Sequence, residues 1–192
     1  VNDLLKGTNV FLIGMMGAGK TTVGRLLARQ LSYGFCDTDV VIEASAHKTI
    51  NQIFADEGED AFRQLESQVL SQVSAETRLT VATGGGIVTR RFNWSYLRHG
   101  LVVWLDAPVE VLIARLQDDT TRPLLREADP AQALQKLLEQ RRHLYAQADL
   151  HIPISAEDTA EQIASRIFTE IPTVLKSPAI APSTSSEEFS PG

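Results

Sequence analysis

"NVFLIGMMGAGKTT", residues 9–22, changes character twice within one short stretch. It opens on Val10, Phe11, Leu12 and Ile13, a run of strand length with no polar residue, as a strand covered on both faces requires. It turns through Gly14, Gly17 and Gly19, then continues as "KTTVGRLLARQLS", where Val23, Leu26, Leu27 and Leu31 recur at helical spacing. From Gly14 to Thr21 the chain reads G-x-x-x-x-G-K-[ST] between a strand and a helix, the context that gives this pattern its meaning. Glycines let backbone N–H groups turn inward around phosphate oxygens, and the helix N-terminus adds partial positive charge. Gly17, Ala18, Gly19, Lys20, Thr21 and Thr22 are therefore the expected contacts of a nucleoside triphosphate. Lys20 would reach the β- and γ-phosphates, and the Thr21 hydroxyl would ligate Mg²⁺. Met15 and Met16 fill variable positions of the loop, at least one of them in core packing.

The same strand–helix alternation runs through most of the chain. Strand-like runs are expected at 9–14, 34–39, 79–85, 101–106 and 150–155, and helices at 20–32, 39–46, 59–74, 130–148 and 158–171. Pro130 suits a first helical turn, Asp158 is a plausible cap, and Pro172 is the expected stop. Such alternation predicts one three-layer α/β domain over residues 1–171. Residues 172–192, rich in Pro and Ser with little to bury, read as a disordered tail. The 192 residues carry a net charge of −6, which argues against a broad surface for nucleic acid or anionic membrane. Any anion site must be a local cluster of Arg and Lys. A single cysteine, Cys36, excludes an internal disulfide and fits a reducing compartment, with the thiol packed in its strand. No apolar run approaches the roughly 20 residues of a membrane span. A cytoplasmic location and a monomer are the default expectations; the chain begins at Val1, so a removed leader and a plastid location stay open.

Four further stretches speak to a second ligand. In "CDTD", Asp37 and Asp39 fall on one side of an extended chain, at the carboxyl edge of the sheet where α/β proteins bind ligands. One of them capping the next helix is the alternative. In "AFRQLE", Arg63 and Glu66 stand at i and i+3 on one helix face, which suits a surface ion pair or a carboxylate that orients the guanidinium. "ATGGG" ends the third strand on Gly84, Gly85 and Gly86, more glycine than a turn needs, which suggests a ligand lying against the main chain. "DDTTRPLL" is polar, lies between helices and reads as a lid over about residues 117–128, with Arg122 placed to close on a transferring phosphate. Arg141 and Arg142 follow on one helix, where adjacent residues diverge, so at most one enters the site. His47, His99, His143 and His151 are scattered without metal-ligand spacing, Trp104 reads as core, and Trp94 as a helix face or edge.

Taken in series, the phosphate loop, "DTD" before a helix, "F-R-x-x-E", "GGG", "T-R-P-L-L" and "R-x-x-L-Y" at residues 141–145 resemble the shikimate kinases from about residue 9 to residue 154. That resemblance implies the nucleoside monophosphate kinase type of fold, with a five-stranded parallel sheet in the order 2-3-1-4-5 and acceptor-binding helices over about 40–78. It implies transfer of phosphate from ATP to the 3-hydroxyl of shikimate, in the service of aromatic amino-acid synthesis. Thr21 would hold Mg²⁺ directly and Asp37 through water. Asp39 would bind ring hydroxyls and help deprotonate the attacking one. Arg63 and Arg141 would bind the carboxylate, with Gly84, Gly85 and Gly86 lining the other side. Lys20 and Arg122 would act on the phosphates, and Arg115 would lie near the adenine. The chemistry agrees: a carboxylate calls for Arg forks, and hydroxyls for an ionised acid and backbone groups.

The chain also departs from common patterns. No Asp ends the third strand, and "SAEDTAE" after the last strand is acidic where a base-contacting cation might stand, so adenine contacts there stay unassigned. A kinase of another small hydroxy acid such as gluconate, a nucleoside monophosphate kinase, and a non-catalytic nucleotide-binding homologue are the rival readings. Arg63 and Arg141 together with the triple glycine argue against the first. The second needs a larger acceptor subdomain than residues 40–78 provide, and the third predicts losses at Lys20, Asp39, Arg63 or Arg141 that the sequence does not show.

Overall fold

In the computed structural model, residues 1–117 and 129–175 are described, and they form one α/β unit. Its strands are β1 (Val10–Ile13), β2 (Gly34–Asp37), β3 (Leu79–Ala82), β4 (Leu101–Asp106) and β5 (Leu150–Pro153). They pair in parallel throughout, in the order β2-β3-β1-β4-β5. The helices are α1 (Asn2–Leu5), α2 (Lys20–Leu31), α3 (Thr38–Ala46), α4 (Ile50–Ser74), α5 (Asn93–Leu97), α6 (Val109–Leu116), α7 (Pro130–Tyr145) and α8 (Ala160–Leu175), with a 3₁₀ turn at Ile87–Thr89. The central strand β1 is wholly buried, which explains its unbroken apolar run. Helices α2 and α8 pack together, and α4, α5 and α7 gather around the 3₁₀ turn.

Buried Asn9 fixes how the parts meet. Its side chain accepts from Leu79 N–H at 2.9 Å and donates to the Glu76 carbonyl at 2.8 Å, while its own carbonyl accepts from Leu101 N–H. One residue at the start of β1 thus aligns β3 and β4 and ends α4. Gly100 stands where a Cβ would fall 2.6 Å from the Asn9 carbonyl. Each of these contacts favours one register, and the register brings the carboxyl ends of β1, β2 and β3 level.

Several expected boundaries move. The strand expected over 34–39 stops at Asp37, because the Asp37 side chain accepts from Asp39 N–H and starts α3. The cap of α8 is Thr159, which exchanges bonds with Gln162; Asp158 turns aside to Ser155 N–H and Arg166. Helix α8 passes through Pro172 to Leu175, so residues 172–175, expected in the tail, are helical. A proline there removes one hydrogen bond near a helix end, and the packing of Leu175 against the core offsets it. Helix α4 starts at Ile50, earlier than the periodicity at 59–74 indicates, with a break at Gly58. Residues 176–192, and nearly all of the lid expected over 117–128 with Arg122, lie outside the described residues.

Candidate active site

The loop between β1 and α2 has three glycines at positive φ: Gly14 at 138°, Gly17 at 79° and Gly19 at 92°. At Gly14 a Cβ would fall 2.5 Å from the Leu105 carbonyl, so both backbone angle and space demand glycine. Helix α2 begins at Lys20 with no acidic residue in its first turn. Its first N–H groups lack intrahelical acceptors, and no acid of the helix's own first turn competes with an incoming phosphate. The buried Lys20 ammonium donates to the Gly14 and Met15 carbonyls, each at 2.8 Å. The loop therefore stores its cation against its own main chain.

A cleft of about 330 Å³ opens above this loop. Gly17, Gly19, Lys20, Thr21 and Thr22 line it on the loop side, Asp37 and Asp39 on the β2 side, Gly84 and Gly85 on the β3 side, and Arg115 at its border. Ala18, expected among the nucleotide contacts, has a buried methyl and an N–H already given to the Met15 carbonyl. The Ala18 carbonyl accepts from Arg115 Nη1 at 3.3 Å, which holds that guanidinium beside the loop. Of the two methionines, Met15 is core and Met16 faces the cleft.

The two aspartates divide as the sequence leaves open. Asp37 Oδ1 caps α3, and its Oδ2 accepts from the Thr21 hydroxyl at 2.7 Å. A hydroxyl and a carboxylate this close, next to a phosphate cradle, form a fitting donor set for a small hard cation that completes its shell with phosphate oxygens and water. Among the described residues no three His, Cys, Asp or Glu gather as a metal cluster. Asp39 sits in the first turn of α3, not on the strand, and reaches the same cleft by helix geometry.

Arg63 and Glu66 are no surface pair. Glu66 is fully buried, and its Oε2 accepts from Arg63 Nη1 at 2.8 Å. Glu59 also accepts from Arg63, at 3.1 Å from Nη2. Burial alone would lower the Arg63 pKa, but the Glu66 and Glu59 carboxylates outweigh it, so the guanidinium stays charged. Burial is also the largest influence on Glu66 and raises its pKa. Arg63 opposes that shift and the nearby Asp39 adds to it. The guanidinium lies flush against Gly86, where any Cβ would overlap it. Gly84 has a similar reason: a Cβ there would fall 2.6 Å from Glu66 Oε1 and 3.1 Å from Asp39 Oδ1. Gly84 and Gly86 thus clear space for two carboxylates and an Arg, while Gly85 lies against the phosphate loop, its Cβ position 3.4 Å from the Gly14 carbonyl.

Helix α7 closes the far side. Arg141 donates to the Gly85 carbonyl at 3.2 Å, whereas Arg142 turns to Asp106 at the end of β4. Only one of the pair enters the site, as adjacent helix positions require. Three participants escape the residue-by-residue reading. Thr38 Oγ1 accepts from Gly84 N–H at 3.2 Å, the Thr83 hydroxyl donates to the Leu12 carbonyl, and the Tyr145 hydroxyl donates to the Gly85 carbonyl at 2.6 Å. All three lie inside stretches already singled out, "CDTD", "ATGGG" and "R-x-x-L-Y", which was the available signal. Trp94 is buried and donates to the Val88 carbonyl, behind the glycine loop. Cys36 is half-buried against the core.

The arrangement is one cleft with a phosphate cradle on one side and Asp39 and bare main chain on the other, where the Arg63 guanidinium lies against Gly86 and Arg141 holds the Gly85 carbonyl. It can hold a polyphosphate and, across from it, a small hydroxylated acid. Known proteins agree with that reading. The shikimate kinase family model matches residues 16–172. A shikimate kinase of Nostoc sp. is 62% identical over 179 residues, covering 93% of this chain and 99% of that protein. One of Trichormus variabilis is 64% identical over 176 residues, covering 92% and 97%. Among solved structures, a shikimate kinase from Acinetobacter baumannii in complex with shikimate superposes with a TM-score of 0.85 at 40% identity, covering 89% of this chain and 96% of that one.

Proposed function

The chain belongs to the shikimate kinase family, and from that premise we propose how its residues divide the work of phosphorylating shikimate with ATP. The backbone of the loop from Gly17 to Thr22 and the N-terminus of α2 hold the nucleotide phosphates, with Arg115 beside the base. Lys20 leaves the carbonyls of Gly14 and Met15 for the β- and γ-phosphates when they arrive; its two 2.8 Å bonds keep it within reach of that exchange. Thr21 and, through water, Asp37 hold Mg²⁺, which neutralises phosphate charge when bound. Arg122, outside the described residues, would act on the phosphates as they transfer.

On the acceptor side, Arg63 and Arg141 take the carboxylate of shikimate. Gly84, Gly85 and Gly86 give it a flat main-chain surface. Asp39 accepts hydrogen bonds from ring hydroxyls, orients the 3-hydroxyl and takes its proton as the bond to phosphorus forms. The transition state is loose, so alignment and neutralised charge matter more here than a strong base. Every named group comes from one chain, so the reading needs only a monomer. The observation that carries it is that Asp39 and Gly85 line one cleft with Lys20, while Glu66 holds Arg63 against Gly86 and Arg141 holds the Gly85 carbonyl. Asp39→Asn tests it: kcat should fall by about a hundredfold or more, the range for loss of a positioned acid–base group, while ATP still binds. Wild-type kcat in that variant would refute the role of Asp39.

A further inference from the structure

We propose that Tyr145 is a positioning residue for the acceptor: by holding the Gly85 carbonyl it aims the Gly86 N–H at the carboxylate that Arg63 binds. The inference rests on the acceptor reading above and concerns a side chain that touches neither substrate.

Tyr145, at the end of α7, is fully buried, with its ring stacked 5.8 Å from Trp104. Burial pushes its phenol above the usual tyrosine range, so the hydroxyl stays protonated and acts as a donor. It donates to the Gly85 carbonyl at 2.6 Å and lies 3.5 Å from Met15 Sδ in the phosphate loop. Arg141, one helical turn earlier, donates to the same carbonyl at 3.2 Å. Two donors from successive turns of one helix thus fix a single peptide group. In a trans peptide the carbonyl and the following N–H point in opposite directions. With the Gly85 carbonyl drawn toward α7, the Gly86 N–H must point away from α7. Neither the Gly85 nor the Gly86 N–H donates to any acceptor among the described residues, whereas the Gly84 N–H is already given to Thr38. The Arg63 guanidinium lies against Gly86, so an anion on that guanidinium is within reach of this N–H.

Arg141 is expected to bind the acceptor, which draws it from the Gly85 carbonyl when the acceptor enters. The Tyr145 hydroxyl, with no solvent to go to, is what keeps the peptide oriented at that moment. Its nearness to Met15 also places the phosphate loop and the acceptor loop against one anchor. Gly85 itself is wedged there, with a Cβ position 3.4 Å from both the Gly14 carbonyl and Met16 N–H.

Tyr145→Phe keeps the ring and its stacking and removes only the hydroxyl. The KM for shikimate should rise about three- to tenfold, as expected for one lost hydrogen bond in a buried site. The KM for ATP should move far less. In spectra of ¹⁵N-labelled protein, the shift of the Gly86 amide on adding shikimate should be large in the wild type and much reduced in the variant. Trp104→Phe is the packing control, since it loosens the same stack with the hydroxyl in place; it should lower Tm without raising the KM for shikimate. An unchanged KM for shikimate in Tyr145→Phe overturns the proposal. So does a rise that Trp104→Phe matches at equal loss of Tm, because the effect would then be packing alone. Failure of the wild-type chain to turn over shikimate would instead overturn the acceptor reading, and this inference with it.

Discussion

Glu66 is a buried carboxylate that the i, i+3 spacing with Arg63 cannot reveal, because that spacing fits a solvated pair equally well. Its burial comes from the tertiary fold, which lays α4 under the glycine loop. The other site residues are more legible: Lys20, Thr21 and the glycines follow from the phosphate-loop pattern, and Arg141 from its motif. Glu66 also has a pH signature. Its pKa is raised in the folded chain, chiefly by burial, with Arg63 opposing and Asp39 adding to the shift. The folded state therefore holds that proton more tightly than the unfolded one. The stability this contributes is complete below the ordinary glutamate range and is lost as pH rises through the raised value. Gln cannot titrate. The Tm of wild type minus that of Glu66→Gln should therefore fall as pH rises from about 4 to about 8, and a flat difference would show that Glu66 does not titrate there.

At the scale of elements, the sequence revealed each long run with a clear period and blurred where one side chain decides a boundary. Asp37 ends β2 by capping α3, so strand alternation wrongly carried the extended chain to Asp39. The resemblance placed helices over about 40–78, but the periodicity alone reached back only to residue 59, because Gly58 interrupts α4 at φ 83° and ψ 175°. The two halves are held together by Phe54 and Phe62, whose rings lie 4.6 Å apart across the break, one position before Arg63. No atom lies within 4 Å of a Cβ built at Gly58, so glycine is required there by backbone angle alone. Gly58→Ala should lower unfolding stability by about 1–3 kcal/mol through that angle, measured by urea titration. A neutral result would mean that α4 straightens at no cost, in which case the break does not set the position of Arg63.

The whole molecule joins two sites that no short segment contains. A parallel sheet in the order 2-3-1-4-5 sets the ends of β1, β2 and β3 side by side. The phosphate loop, the aspartates and the glycine loop therefore share one cleft although their residues span 14–86. The strand alternation and the motif series together made this architecture readable. The pairing of Asp37 with the Thr21 hydroxyl and with Asp39 N–H, and the anchoring of Gly85 by α7, required the folded chain. The acidic net charge of −6 is compatible with two anionic substrates because Lys20, Arg63, Arg115 and Arg141 are concentrated at this edge. This edge selects shikimate as phosphoryl acceptor. ADP release from Mg²⁺-ATP, with shikimate, gluconate and nucleoside monophosphates each offered alone, tests it most directly. Turnover with shikimate, and only background rates with the others, is the predicted result. Faster turnover on any other acceptor, or ATP binding with no turnover on shikimate, would contradict it.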